Sequence, residues 1–275
     1  MKKIITHNGK FHADDVFAVA TLQLVLEKEG EDFEVVRTRD KEIIKTGDIV
    51  VDVGGEYDID KNLFDHHQIG GAGERKNGIP YAGFGLVWKH FGEQLCEFPE
   101  AAEKIDKKLV QSIDASDVGL DVATPIFEEF YMYTVGNVIR TFMPTWKEQE
   151  VDKDTAFLDA VKMARAILER EIKIAVDNIH GEQKVIETYN LAEDKRIIIF
   201  DEYCSGKTIL NQFDEPLYAI FPSDDSDTWY VNVVRIGEDS FKSRKDLPES
   251  WAGKEGDELA EITGVKDKGL AKQHT

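Results

Sequence analysis

Cysteine is nearly absent: Cys96 and Cys204 are the only two in 275 residues. They stand too far apart for a Cys-x-x-Cys motif, which excludes a thiolate zinc knuckle and a disulfide framework. Both are expected to be small buried hydrophobes in a reducing compartment. Long apolar runs are missing as well. No stretch approaches the roughly 18 residues of a membrane span, and Met1-Lys2-Lys3-Ile4-Ile5-Thr6-His7 turns polar too early for a signal-peptide core. The expected location is the cytoplasm, with no membrane partner. Positive charge is scarce: 34 Lys and Arg face 54 Asp and Glu, a net charge of −20. Such a surface repels polyanions and argues against tight binding to duplex nucleic acid. Internal repeats and low-complexity tracts are also lacking.

What is present suffices for a globular α/β protein, since 41% of the residues are hydrophobic and the chain has room for two domains. Ile4-Ile5 predicts a strand, and Ala13 to Glu29 a helix stopped by Gly30. Glu34–Thr38 and Asp48–Val53 predict further strands, with a short helix or turn between them. Strands alternating with helices imply parallel pairing. Helical patterns continue at about 82–96, 100–113, 126–141 and 152–179. After His180-Gly181 the texture changes to strands at about 184–188, 196–200, 217–221 and 229–236, with one more helix from Gly256 to Ile262. Pro222 to Asp227 is expected to be a turn. The expected architecture is an N-terminal, mostly parallel sheet flanked by helices, over residues 1–150. A long helix then leads into a smaller C-terminal α/β domain within 151–275.

Acidic and imidazole residues gather at predicted element ends, where open α/β sheets assemble ligand sites. His7, His12 and Asp14 follow the first strand. Asp52 ends Ile49-Val50-Val51, Asp65-His66-His67 follows Leu63-Phe64, and Asp114 and Asp117 close a helical pattern near Gly119. Singly, each has a bland explanation: histidines cap turns, Asp65 suits a turn, and Asp114 to Asp117 suits a helix end followed by a new cap. Four such clusters together point to a metal site. With carboxylates dominant and no thiolate, the donor set suits two ions of Mn²⁺ or Mg²⁺ more than zinc. Two such ions need a bridging carboxylate, and Asp52, at the end of a stiff β-branched strand, is the best-placed candidate.

The segments Thr6-His7-Asn8-Gly9-Lys10-Phe11-His12-Ala13-Asp14-Asp15, Val51-Asp52-Val53-Gly54-Gly55-Glu56-Tyr57-Asp58 and Phe64-Asp65-His66-His67-Gln68 resemble the Myg exonuclease family of the DHH phosphoesterase superfamily. The likeness extends through Pro144-Thr145-Trp146 to Ser240-Phe241-Lys242-Ser243-Arg244 and Leu247 to Gly253. It implies a DHH-like catalytic domain in which His7, His12, Asp14, Asp52, His66 and Asp114 are metal ligands. By the same resemblance Asp52 bridges the ions, while His67 contacts phosphate or protonates the leaving group. Asp65 then orients a neighbouring histidine, and Asp117 sits just outside the ligands. The implied activity is a metal-dependent 3′-to-5′ exonuclease acting on RNA or, given the acidic surface, short oligonucleotides. A small-molecule phosphatase or pyrophosphatase with the same metal pair, and a non-catalytic acidic binding protein, are the alternatives. A homo-oligomer is compatible with the sequence but not specified by it.

In one respect the sequence departs from the superfamily, whose members close with a His and a Gly-Gly loop that hold substrate phosphate. Beyond Lys266 that segment is not found, and the one histidine there, His274, is not expected to replace it, so weakened substrate affinity is expected. Basic candidates for a phosphodiester backbone are Arg37, Arg39, Arg140, Arg235, Lys242 and Arg244. Of these, Arg235, Lys242 and Arg244 form the preferred anion site. Trp229, Tyr230 and Phe241 are candidates for base stacking, with core packing expected for at least two of them.

Overall fold

A computed structural model of the protein describes residues 1–225, 228–237 and 240–264. Ile4 and Ile5 lie wholly buried in the first strand, β1 (Lys2–Thr6). The helix that follows, α1 (Ala13–Lys28), is apolar on most sides, and its residues from Asp14 to Leu22 are all buried. A helix of that texture belongs inside a domain, not on its surface. Gly30, at φ 74°, turns the chain out of it, as its sequence position predicts.

β2 (Phe33–Arg37) and β3 (Ile49–Val51) pair in parallel with either side of β1. Between them α2 (Lys41–Ile44) is capped by the Asp40 carboxylate, which accepts from the backbone N–H of Glu42 at 2.8 Å and of Ile43 at 3.3 Å. β4 (Tyr57–Asp58) and β5 (Leu63–Phe64) complete a sheet of order β2-β1-β3-β5-β4. All its pairings are parallel except β4 with β5. Ile5 stands opposite Val50, and Val51 opposite Phe64. That register sets the next residues of three parallel strands, His7, Asp52 and Asp65, along one edge of the sheet.

α3 (Gly83–Leu95) packs against α1, with the rings of Phe17 and Phe84 5.4 Å apart. α4 (Pro99–Ile105) continues through a wider π-helical turn at Asp106–Val110 into α5 (Gln111–Asp117). The helix expected at 126–141 is largely absent. Only α6 (Val135–Arg140) forms, and the preceding segment leaves Ile126, Phe127 and Tyr131 exposed. Its apolar residues have no facing surface, and tertiary burial is what stabilises most short helices.

α7 (Lys153–Leu191) is 39 residues long and runs through the strand expected at 184–188. Val185 and Tyr189, one turn apart, are buried on its inner face, so these β-branched and aromatic residues serve a helix. Gly181, read from sequence as a stop, remains helical. A Cβ there would lie 2.5 Å from the backbone oxygen of Ser205, so the glycine allows close approach of that chain. The described chain falls into two compact units, residues 1–176 and from Asp177 onward. The division lies inside α7, where the sequence alone placed it near residue 150.

The second unit contains a three-stranded sheet of β6 (Ile197–Ile199), β7 (Tyr218–Pro222) and β8 (Trp229–Val233). β6 and β7 are parallel, β7 and β8 antiparallel. Ile198, Phe200, Ala219 and Phe221 pack with Val185 and Leu210 in its core. α8 (Gly256–Thr263) is the last described element. Cys96 and Cys204 are free and buried, and among the described residues no helix is long and apolar enough to cross a membrane.

Candidate metal centre

His7 follows β1 directly, and its Nδ1 lies 3.1 Å from the backbone oxygen of Asn8. A proton on Nδ1 satisfies that carbonyl and leaves the Nε2 lone pair facing inward. Nε2 is 3.2 Å from Asp52 Oδ2 and 3.3 Å from Asp15 Oδ2. Asp52 itself, just past β3, adopts φ 55°. Aspartate tolerates this left-handed conformation better than most residues, and it turns the carboxylate back across the strand ends. From the neighbouring strand end, His66 brings Nε2 to 3.2 Å from Asp52 Oδ1 and 3.2 Å from Asp117 Oδ2.

These contacts form three groups of side chains whose ligand atoms lie within 4.8 Å of one another: His7, Asp15 and Asp52; Asp52, His66 and His67; and Asp14, His66 and Asp117. Asp52 belongs to two of them, and so does His66. His12, at the start of α1, is more peripheral and exposed, with Nδ1 3.8 Å from Asp117 Oδ1.

Helix starts hold the buried carboxylates in place. Both oxygens of Asp14 accept from the first turn of α3, from Gly83 N at 2.9 Å and Phe84 N at 2.7 Å, and Asp114 Oδ1 accepts from Gly85 N at 2.9 Å. Carboxylates at a helix N-terminus satisfy its orphan N–H groups and its dipole. Both glycines are needed for this approach: a Cβ on Gly83 would stand 2.8 Å from Asp14 Oδ2, and one on Gly85 only 1.8 Å from Asp114 Oδ2. Asp15 Oδ1 accepts from His12 N at 2.7 Å, which closes the start of α1 and turns the other oxygen inward.

Asp114 and Asp117 lie three residues apart on one face of α5, yet their surroundings differ. Asp114 is paired with buried Arg75 at 2.7 Å, whose guanidinium also holds Asp106 at 2.7 Å and stacks 4.2 Å from the Tyr81 ring centroid. Asp117 stands free of that arginine and faces His66. In this arrangement Asp117, read from sequence as an outer group, stands among the potential ligands, while Asp114 serves the Arg75 pair.

The buried carboxylates and imidazoles shift one another's proton affinities. Burial and the neighbouring charges of Asp52, Asp117 and Asp114 push the Asp14 carboxyl well above the usual carboxylate range. Burial, opposed in part by His7, pushes Asp15 to about 7, and burial against the pull of Arg75 does the same for Asp114. Burial would lower both histidines, but His66 is driven up to about 10 by Asp117, Asp52 and Asp14, and His7 is raised by Asp52 and Asp15. Burial would raise Asp52, yet His66 and His7 hold it below the usual range. Asp15 Oδ2, Asp52 Oδ1 and His66 Nε2 are buried without a hydrogen bond. Convergent, unsatisfied oxygen and imidazole donors with surplus negative charge fit divalent cations.

His67 is exposed; its Nδ1 lies 2.7 Å from Asp65 Oδ1, and the other Asp65 oxygen accepts from Gly55 N at 2.5 Å. Beside His66, a cleft of about 360 Å³ is bordered by the loop from Gly70 to Glu74, with Pro80, Tyr81 and Val118.

The predicted basic and aromatic residues are dispersed. Arg37 is buried, donates to Asp154, Lys153 O and Gly9 O, and stacks on Phe157, so it is structural. Arg244 donates to the backbone oxygens of Asn211, Phe213 and Pro216, which occupies its guanidinium. Arg235 lies over the Phe241 ring at 4.9 Å, Lys242 and Arg140 are exposed, and Arg39 borders a groove lined by none of the metal-centre residues. Core packing expected of at least two of Trp229, Tyr230 and Phe241 is not found: they are 56%, 48% and 89% exposed. Ser226, Asp227 and His274 lie outside the described residues. Sequence reasoning missed Arg75, Asp15, Gly83 and Gly85; the signal for Asp15 is its place three residues after His12, the cap of α1.

Relatives match nearly the whole chain. A MYG1 protein of Schizosaccharomyces pombe is 29% identical over 96% of this chain and 88% of its own length. A Homo sapiens protein named MYG1 exonuclease is 28% identical over 96% of this chain and 78% of its own. Among solved structures, that of RecJ in complex with Mn²⁺ from Thermus thermophilus is similar at 13% identity and a TM-score of 0.30, covering 86% of this chain and 45% of that one. The MYG1 exonuclease family, described as an uncharacterised protein family (UPF0160), matches residues 3–272, and the chain belongs to it.

Proposed function

We propose that the protein is a metal-dependent phosphodiesterase, a 3′-to-5′ exonuclease that shortens RNA or short oligonucleotides in the cytoplasm. The observation that carries this reading is the double membership of Asp52, whose two oxygens face His7 on one side and His66 on the other. Relatives named MYG1 exonuclease support it.

His7, Asp15, Asp52, His66, Asp14 and Asp117 would hold two ions of Mn²⁺ or Mg²⁺, with His12 and Asp114 as flanking groups. When bound, such a pair supplies Lewis-acid activation of water and neutralises charge on the phosphoryl group. The chain's own residues then orient and protonate. Asp65 fixes the ring of His67 by accepting from Nδ1, so that the imidazolium form gives its Nε2 proton to the departing oxygen and is left neutral. The cleft beside His66 receives the chain end.

The test is release of product from a 5′-labelled short RNA and a matched longer RNA, with Mn²⁺, with Mg²⁺ and with chelator. Stepwise shortening of the label that requires metal, faster on the short RNA, is expected. Asp52→Asn keeps a side chain that tolerates φ 55° and is expected to abolish turnover with the fold intact. Full turnover by that variant would refute the two-metal reading.

A further inference from the structure

Val36, Ile5, Val50 and Leu63 stand side by side across four strands. They form one apolar row on a sheet face, while Ile4, Val51 and Phe64 point to the other and are wholly buried. Ile5 and Val50 in the row are buried beneath Val53 and Ile44 of α2, while Val36, Ile44 and Leu63 stay partly exposed. Over it lies a groove of about 700 Å³, within the size of small-molecule sites. Its floor is Ile44, Val50, Val53 and Leu63.

The rim is basic in a chain of net charge −20. Lys45 is paired with Glu42 at 2.7 Å, and Lys61 with Glu56 at 3.0 Å and Asp58 at 2.7 Å. Arg39 and Lys41 also border the groove, are exposed, and make no side-chain ion pair among the described residues. They lie at the β2 side. Glu56 and Lys61 lie at the β4–β5 side, three strand spacings away, or roughly 14 Å.

We propose that this groove is a binding site, separate from the metal centre, for a small organic monophosphate. Its phosphate meets Arg39 and Lys41, and its apolar body lies on Ile44, Val50, Val53 and Leu63. Two unpaired cations two residues apart match a dianion, which a carboxylate would only half neutralise. An apolar floor rewards a flat body over inorganic phosphate. At the far end Lys61 is already paired with Glu56 and Asp58 and offers no free cation to a second anionic group, which favours a monophosphate over a polyphosphate or an oligonucleotide chain.

The test is calorimetric titration of the full chain with adenosine monophosphate, uridine monophosphate and phenyl phosphate. Chelator is present throughout, so that no metal-held phosphate contributes. Saturable binding by one or more of the three is expected, weakening with salt, with inorganic phosphate and adenosine at least tenfold weaker. The double variant Arg39→Gln, Lys41→Gln, on exposed positions, is expected to lower affinity at least tenfold. Ile44→Ala should weaken the organic phosphates and leave inorganic phosphate unchanged. No saturable binding by any of the three would overturn the proposal, and so would binding that survives the double variant or is no tighter than that of inorganic phosphate.

Discussion

Gly85 is where the metal centre is most sensitive to a single methyl group. Its Cβ position lies 1.8 Å from Asp114 Oδ2, 2.7 Å from Asp114 Cγ and 2.9 Å from Arg75 Nη2, all buried and held by ion pairs. Gly85→Ala is therefore expected to destabilise the fold by about 1–3 kcal/mol in urea unfolding, the usual cost of overpacking. Gly136 is the control. A Cβ there meets only Thr134 Oγ1, at 3.5 Å, so Gly136→Ala in α6 should be neutral or stabilising by up to about 1 kcal/mol. Equal effects of the two substitutions would mean that the close approach of α3 to Asp114 is not what Gly85 provides. None of this was legible beforehand. The sequence indicates a helix start near residue 82, but that its glycines make room for carboxylates from α1 and α5 depends on residues 29 and 69 positions away.

At the scale of elements, the strands carrying His7 and Asp52 were readable because each is a short β-branched or apolar run ended by a polar cluster, whereas β5 before Asp65 is only two residues long. Parallel pairing followed from the alternation with helices. Two elements were misread for one reason: local pattern does not say whether a facing surface exists. Residues 126–134 carry a helical pattern with nothing to bury it, and 184–188 carry strand-like residues that a helix buries better. Gly181 makes the second case testable. Helix propensity alone predicts that Gly181→Ala stabilises α7 by about 1 kcal/mol. The backbone of Ser205, with its oxygen 2.5 Å and its carbonyl carbon 2.9 Å from the Cβ position, predicts the reverse, a loss of about 1–3 kcal/mol confined to the second unit. Hydrogen exchange separates the two. Faster exchange of amides 182–191, with 155–170 unchanged, is expected; slower exchange of 182–191 would show that the glycine is only a weak point in the helix.

For the whole molecule the governing quantity is charge, because a chain at −20 concentrates several carboxylates at one sheet edge and balances them with two histidines and Arg75. In the metal-free protein His66, raised from 6.5 to about 10, contributes stability that is fully present below about pH 6.5 and lost as pH rises through 10. Asp15, raised from 3.8 to about 7, is stabilising while protonated, and that contribution is lost as pH rises from 3.8 through 7. Asp52 is lowered and acts in the opposite sense, but its loss begins only as pH falls below the carboxylate range. Between pH 6 and 9 the metal-free form therefore weakens as pH rises. The same deprotonations free His66 Nε2 and Asp15 Oδ2 as ligand atoms, and cation binding that displaces protons strengthens with pH. Thermal melts at pH 6, 7.5 and 9 should show a midpoint in chelator that falls with pH, and a rise on adding Mn²⁺ that widens over the same range. A Mn²⁺-induced shift that is constant or shrinks would mean that these groups do not give up protons to a cation, and that the buried carboxylates are held by the histidines and Arg75 alone.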